Sequence, residues 1–132
     1  MAFLLDTNII SYLVRDPRGT LALRVGRESF EDLVTSIVVI GEIAFGFVRR
    51  PSPRLERQTS DVLRGIQIID LDQTAATIYG SVRADLESLG TPIGANDLWI
   101  AAHALALDAT LITANEREFR LVPGLRVENW AA

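Results

Sequence analysis

Three acidic residues stand where a carboxylate is hard to explain by local structure alone. Asp6 directly follows Phe3–Leu5, an apolar run that is too short for a helix and suits a strand buried on both faces. Glu42 lies in the middle of one strongly apolar segment, and Asp97 stands at the beginning of another. An unpaired charge in such surroundings would be costly, because its desolvation has no compensation. The three acids are therefore candidates for one shared site.

Each acid also has a simpler interpretation. Asp6 can cap the helix that follows it, and so can Thr7. Asp97 can interact favourably with the dipole of its own helix, although Asn96 already offers a cap there. Glu42 has no capping role, so it either points to solvent on a narrow polar stripe or shares a cation with the other acids. Helical phase does not choose between these two arrangements.

The predicted secondary structure places the acids on one side of a sheet. Short apolar strands alternate with helices along the whole chain, which is typical of a parallel sheet covered by helices on both faces. We expect a single α/β domain over residues 1–132, with the fourth strand beside the first. The predicted strands cover residues 3–5, 33–35, 66–69, 110–113 and 125–127, and the predicted helices include 37–49, 53–63 and 96–107.

The end of the fourth strand contributes Asn115, and Ser36 at the end of the second strand belongs to the same rim. In open α/β sheets, ligands bind at the carboxyl ends of the strands. Oxygen donors from Asp6, Glu42, Asp97 and Asn115 would form a site for Mg²⁺, with Mn²⁺ as the alternative. Such an ion orients a phosphodiester, activates a water molecule and neutralises charge on the leaving oxygen.

The composition narrows the chemistry further. The 132 residues include no cysteine, so disulfides and thiolate metal sites are excluded. They include one histidine, His103, which disfavours a histidine-based zinc site. All 13 basic residues are arginine, and the net charge of −4 gives no overall attraction to nucleic acid. No apolar run is long enough to cross a membrane and no signal-peptide pattern is visible, so we expect a soluble, cytoplasmic protein.

Several motifs resemble the PIN-domain family. They are the opening Leu4–Asn8, the pair Gly41–Glu42, the helix start Asn96–Ala102 and the segment Leu111–Phe119, and they occur in that family's order. The ending Val122–Trp130 is similar to the VapC branch, the toxins of bacterial toxin–antitoxin pairs. The resemblance covers essentially the whole chain. It implies a PIN-like three-layer α/β/α sandwich with a central, mainly parallel sheet of about five strands.

The same resemblance implies a Mg²⁺-dependent endoribonuclease that is held inactive by a VapB-type antitoxin. It also implies homodimers within a larger toxin–antitoxin complex, with antitoxin segments in the active-site groove. Asp6, Glu42 and Asp97 match the family's metal-binding acids. Many family members carry an aspartate where this chain has Asn115, which leaves the number of metal ions open. The candidate supporting residues are Thr7, Asn8, Ser36, Thr113, Glu116 and Glu118.

For the remaining histidine, aromatic and arginine residues, a structural role is the preferred interpretation. His103 is predicted to be a satisfied core histidine, and the aromatic residues Phe45, Phe47, Tyr79 and Trp99 to be core rather than platforms for nucleic-acid bases. A cluster of arginines is predicted to be solvated, with contact to RNA or antitoxin as the alternative. It consists of Arg49, Arg50, Arg54 and Arg57.

Three other functions fit the pattern less well. A non-catalytic binding module on the same fold would explain the missing acid at Asn115. A receiver domain would carry paired acids near the first strand and a late lysine, but the chain contains no lysine. A phosphatase with a DxD nucleophile pair is disfavoured by Asn8.

Overall fold

A computed structural model describes all residues, 1–132, as a parallel sheet with helices between its strands. The strands are β1 (Phe3–Leu5), β2 (Leu33–Ser36), β3 (Gln67–Ile69), β4 (Thr110–Ile112) and β5 (Val127–Glu128). The helices are α1 (Thr7–Arg15), α2 (Thr20–Gly26), α3 (Ile37–Arg49), α4 (Pro53–Leu63), α5 (Gln73–Ser88), α6 (Ala95–Ala106) and α7 (Glu116–Phe119), with a 3₁₀ turn at Phe30–Asp32.

The five strands run in the order β3-β2-β1-β4-β5, and every neighbouring pair is parallel. This confirms the predicted α/β fold and the position of the fourth strand beside the first. From β1 the chain moves to one side through β2 and β3, and then returns to the other side through β4. Because crossovers between parallel strands are right-handed almost without exception, this change of direction places helices on both faces of the sheet. The reversal lies between β1 and β4, where a doubly wound sheet opens a crevice.

The central strand β1 is buried because strands flank both of its edges and helices cover both faces of the sheet. Leu4 and Leu5 of β1 and Leu111 and Ile112 of β4 are completely buried. Each such aliphatic side chain contributes roughly 1.5–3 kcal/mol when it leaves water. This packing holds the ends of β1 and β4 side by side. In their register, Leu5 pairs with Ile112.

Most element boundaries agree with the sequence predictions within one or two residues. Gly90 follows α5 with a φ of 72°, a left-handed conformation that glycine accepts without strain at the end of a helix. Two expectations were wrong. Asn96 does not cap α6, since the helix begins one residue earlier and its N-cap is Gly94. Phe45 is not core: 61% of it is exposed on α3, where only Val39 is fully buried.

No helix combines the length and the apolar character that crossing a membrane requires.

Candidate metal-binding site at the carboxyl edge of the sheet

Asp6 ends β1 and is held in one orientation by three donors. Its Oδ1 accepts the backbone N–H of Thr7 at 2.8 Å, so Asp6 is the N-cap of α1. Its Oδ2 accepts the Thr113 hydroxyl at 2.8 Å and the Asn8 side-chain amide at 3.3 Å. Only 4% of Asp6 is exposed. Burial raises the pKa of its carboxyl group, the hydrogen bonds from Thr113 and Thr7 lower it, and the charge of Glu42 raises it further.

Glu42 reaches the same place from α3. Its Oε1 accepts the hydroxyl proton of Thr7 at 2.5 Å, and its Oε2 accepts the side-chain amide of Asn96 at 3.5 Å. Thr7 therefore acts as a hydroxyl partner of a carboxylate, while the capping role belongs to Asp6. The half-buried carboxylate is thus turned towards α1 and α6, where the other acids lie.

Asp97 joins the two from the first turn of α6. Burial, a hydrogen bond to Glu118 and the charges of Asp6, Glu118 and Glu42 raise the pKa of Asp97 from 3.8 to about 7. The four carboxyl groups are thus close enough to oppose each other's ionisation. We call Asp6, Glu42, Asp97 and Glu118 the acidic cluster.

No basic side chain neutralises the acidic cluster. The six ion pairs of the chain involve other carboxylates. No three acidic or histidine side chains form a complete ligand cage as they stand. Mg²⁺, however, commonly binds through one or two carboxylates and keeps several of its waters. The chemistry of the donors, all oxygen and mutually repulsive, therefore fits a hydrated Mg²⁺ or Mn²⁺ ion.

Asn8 and Thr113 join the ends of β1 and β4 behind the acids. Asn8 Oδ1 accepts the backbone N–H of Ala114 at 3.1 Å, while its amide donates to Asp6. The Thr113 hydroxyl donates to Asp6 and accepts the backbone N–H of Asn115 at 3.0 Å. The two polar side chains are fully used by these bonds, so they orient Asp6 and close the sheet edge.

The segment after β4 contains three further candidate residues, Asn115, Glu116 and Glu118, which lie in different surroundings. Asn115 is exposed, and only its backbone is hydrogen-bonded. Glu116 turns away from the acidic cluster, where its carboxylate accepts Arg120 at 2.7 Å and the Asn129 amide at 3.2 Å, which lowers its pKa. Glu118, two residues later, faces Asp97. Of the two acids on α7, the structure therefore brings Glu118, and not Glu116, next to Asp97.

Ser36 does not line the site. It is completely buried, caps α3 through a bond from the backbone N–H of Val38 at 3.1 Å, and lies 2.8 Å from Nδ1 of His103. The expectation that Ser36 belongs to the ligand-binding rim was wrong, because the end of β2 is covered by α6. His103 is a satisfied buried histidine, as predicted, and only 1% of it is exposed.

A groove of about 440 Å³ leads away from Thr7 and Glu42 between α1, α3 and α4. Its floor is apolar, with Ile10, Ile43 and Phe47 among the lining side chains. Arg15 and Arg50 lie along its walls. The groove therefore combines an acidic end, an apolar floor and two cationic side chains.

Asn96 is the site residue that sequence reasoning assigned to another role. Its amide donates to Glu42, and it belongs to the first turn of α6 together with Asp97. The signal available in the sequence was its position directly before Asp97. Because α6 begins at Ala95, Asn96 and Asp97 both lie in its first turn at the carboxyl edge of the sheet. The sequence pattern predicts the start of this helix one residue later and therefore makes Asn96 a cap.

The comparisons with known proteins agree with one another. Residues 3–125 match the model of the PIN domain family. Ribonuclease VapC2 of Rickettsia felis is 33% identical over 132 residues, which is 98% of each chain. The tRNA(fMet)-specific endonuclease VapC of Shigella flexneri is 33% identical over 135 residues, 99% of each chain. The crystal structure of VapBC2 from Rickettsia felis bound to a promoter DNA fragment contains a similar chain, with a TM-score of 0.91 and 31% sequence identity. The superposition covers 98% of this chain and 99% of that chain.

Proposed function

The chain belongs to the PIN-domain family, in its VapC branch, and from that premise we propose that it is a divalent-metal-dependent endoribonuclease acting as the toxin of a toxin–antitoxin pair. The observation that carries this proposal is the acidic cluster, four carboxyl groups brought together at the carboxyl edge of the sheet with no basic side chain paired to them. An RNA substrate would place the activity in the cytoplasm. Relatives named as ribonucleases support the RNA substrate.

In the proposed site, Asp6, Glu42 and Asp97 would hold Mg²⁺, or Mn²⁺ in its place. When bound, the ion supplies charge neutralisation at the scissile phosphodiester and activates the attacking water. Glu118 is the fourth acid in reach of the site, while Asn115 offers an uncharged amide oxygen at its exposed margin.

The protein's own contribution is orientation. Thr113 and Asn8 fix Oδ2 of Asp6 by two hydrogen bonds, so its direction is set before any ion arrives. Thr7 and Asn96 each bind one oxygen of Glu42, which holds the carboxylate of α3 against α1 and α6. Such partners of ligand side chains commonly affect metal affinity by about 10–100-fold.

We assign the antitoxin to the groove that begins at Glu42. An amphipathic segment would place apolar side chains on Ile43 and Phe47 and a cationic side chain against the acidic cluster. Related solved structures are VapBC complexes, which supports a VapB-type partner. The exposed apolar residues Phe45 and Val48 on α3 suit the proposed homodimer, because a twofold axis would bring two such faces together. A monomeric mass for the purified chain by light scattering would contradict the dimer.

The experiment that tests the function is cleavage of a panel of structured RNAs by the purified, antitoxin-free protein. Wild type and Asp6→Asn are compared in Mg²⁺, in Mn²⁺ and in EDTA. We expect cleavage by wild type that stops in EDTA, returns with added metal and is lost in the variant. A folded wild-type protein that binds metal and cuts no RNA would favour the non-catalytic binding module, for which the uncharged Asn115 is the supporting feature.

A further inference from the structure

His103 is a buried polar residue that the proposed mechanism does not use. It lies on α6, six residues after Asp97, and only 1% of it is exposed. Its Nδ1 is 2.8 Å from the hydroxyl oxygen of Ser36, which is itself completely buried. The two residues are 67 positions apart in the sequence, so their bond is a tertiary link.

The neighbouring bonds suit donation from Ser36 to His103. Ser36 Oγ accepts the backbone N–H of Val38 and keeps its own proton, which it can donate to Nδ1 of His103. Burial lowers the pKa of His103, although the charge of Asp72, the backbone of Asp70 and the charge of Asp70 act in the opposite direction. A neutral ring that accepts from Ser36 at Nδ1 carries its proton on Nε2.

The link joins the two helices that carry acids. Ser36 is the N-cap of α3, the helix of Glu42, and His103 belongs to α6, the helix of Asp97. The side chains of Glu42 and Asn96 meet at the far end of the same helix pair. The pair α3 and α6 is thus held at two levels, once in the core and once at the site.

A hydrolytic Ser–His pair is excluded by the same geometry. No substrate can approach a hydroxyl group that is completely buried, and the lone pair that capping uses would have to be given up. The pair therefore has no route to nucleophilic catalysis, and its position points to an architectural task.

We propose that His103 is a positioning residue for the metal site, because its hydrogen bond to Ser36 sets the spacing between the helices that carry Glu42 and Asp97. This inference rests on the proposed function, since it assumes that these acids bind a divalent ion. It adds a residue that contacts neither the ion nor the RNA. The bond acts by limiting how far the two carboxylates can separate.

The test is a titration of the metal-free protein with Mn²⁺, in which free Mn²⁺ is measured by electron paramagnetic resonance. His103→Gln places its amide near the position of Nε2 and loses the bond to Ser36, whereas His103→Asn places an amide oxygen near Nδ1 and keeps an acceptor. Ile100→Val, at a buried position of the same helix that makes no side-chain hydrogen bond, controls for general loosening of α6. Ser36→Gly removes the other partner, and glycine is tolerated as an N-cap.

We expect Mn²⁺ binding about 10-fold weaker in His103→Gln and in Ser36→Gly, in line with other changes behind metal ligands. The double variant should bind no more weakly than either single one, because both remove the same bond. His103→Asn and Ile100→Val should stay within about twofold of wild type, the latter because it leaves the bond in place.

Wild-type affinity in both His103→Gln and Ser36→Gly would overturn the positioning role and leave the proposed function intact. Equal weakening in Ile100→Val would also overturn it, because the effect would then come from packing alone. No Mn²⁺ binding by folded wild-type protein would overturn the proposed metal site itself, and this inference with it. If His103→Gln fails to fold, Ser36→Gly decides between the first two outcomes.

Discussion

The acidic cluster and the arginine cluster have opposite charge and very different surroundings. Asp6 is almost completely buried, and its neighbours Glu42 and Asp97 are half-buried. The arginines are exposed at the end of α3 and along α4. Neither cluster contains an ion pair, although other carboxylates and arginines of the chain do pair. The arginine cluster consists of Arg49, Arg50, Arg54 and Arg57.

The difference lies in what each arrangement costs the folded protein. An exposed arginine without a partner is solvated by water and loses little. Buried carboxylates that face each other lose solvation and repel each other, as the raised pKa of Asp97 shows. Only the acidic cluster therefore carries an energetic penalty that a bound cation would remove. This makes the acidic cluster much stronger evidence for a ligand than the arginines are.

The largest expected effect comes from Asp97→Asn. We predict that metal-dependent RNA cleavage falls by on the order of 100-fold or more, because a charge that serves the reaction is lost from a preorganised site. The metal-free variant should at the same time unfold at a higher temperature than wild type at pH 8. Initial cleavage rates and thermal unfolding measure the two effects. Loss of both activity and stability would mean that Asp97 is structural.

Charge reversal at the end of α3 tests the arginine cluster. Arg49→Glu combined with Arg50→Glu should weaken binding of RNA or of the antitoxin segment by roughly 10-fold at low salt, without unfolding the protein. Arg64→Glu is the control, because Arg64 is exposed at the opposite end of α4. Fluorescence anisotropy at two salt concentrations measures the change. Unchanged affinity for both partners would return these arginines to the role of solvated surface charge.

The pH dependence of stability follows from the raised pKa of Asp97. The folded protein keeps this proton up to about pH 7, whereas an unfolded chain releases it near 3.8. The contribution of Asp97 to the stability of the metal-free protein should therefore be fully present below about pH 4 and be lost between about pH 4 and pH 7. Because Asp97 is half-exposed, we expect a loss on the order of 1 kcal/mol. Added Mg²⁺ and Asp97→Asn should each flatten this dependence of stability on pH, which thermal unfolding across the range measures. An equally steep dependence in Asp97→Asn would assign it to other groups.

Glu116→Gln should have the smallest effect. Glu116 is only two residues from Glu118, but it pairs with Arg120 on an exposed surface, where water screens the pair and its contribution to stability is small. We expect a slight fall in the unfolding temperature and unchanged cleavage. Glu118→Gln should instead lower Mn²⁺ affinity. Equal behaviour of the two variants in cleavage and in Mn²⁺ titration would remove the distinction between paired and unpaired acids on α7.

The fold was predictable because its strands are short apolar runs with polar ends. Phe3–Leu5 appears as predicted, since all three residues are buried. The fifth strand was placed at 125–127 but lies at Val127–Glu128, because its position depends on pairing with β4 and not on its own pattern. The exposure of Phe45 was not predictable. A helix that is apolar all round does not reveal which side faces the core.

The site was predictable in its acids and not in their connections. Asp6 and Asp97 are recognisable from their places at a strand end and a helix start. The partners of Glu42, which are Thr7 and Asn96, come from other elements, and local sequence does not specify such contacts. The bond between Ser36 and His103 was invisible for the same reason. Long-range polar contacts depend on how the helices pack, which periodicity alone does not determine.

The most direct test of the central claim is the ionisation of Asp97 itself. Carboxyl ¹³C NMR of the metal-free protein, assigned with Asp97→Asn, gives its titration curve, and the titration is repeated with saturating Mg²⁺. We expect a pKa near 7 without metal and a clearly lower pKa with it, because the cation favours the charged form. An ordinary pKa near 3.8 without metal, or a value near 7 that Mg²⁺ does not change, would contradict an acidic cluster built to hold a cation.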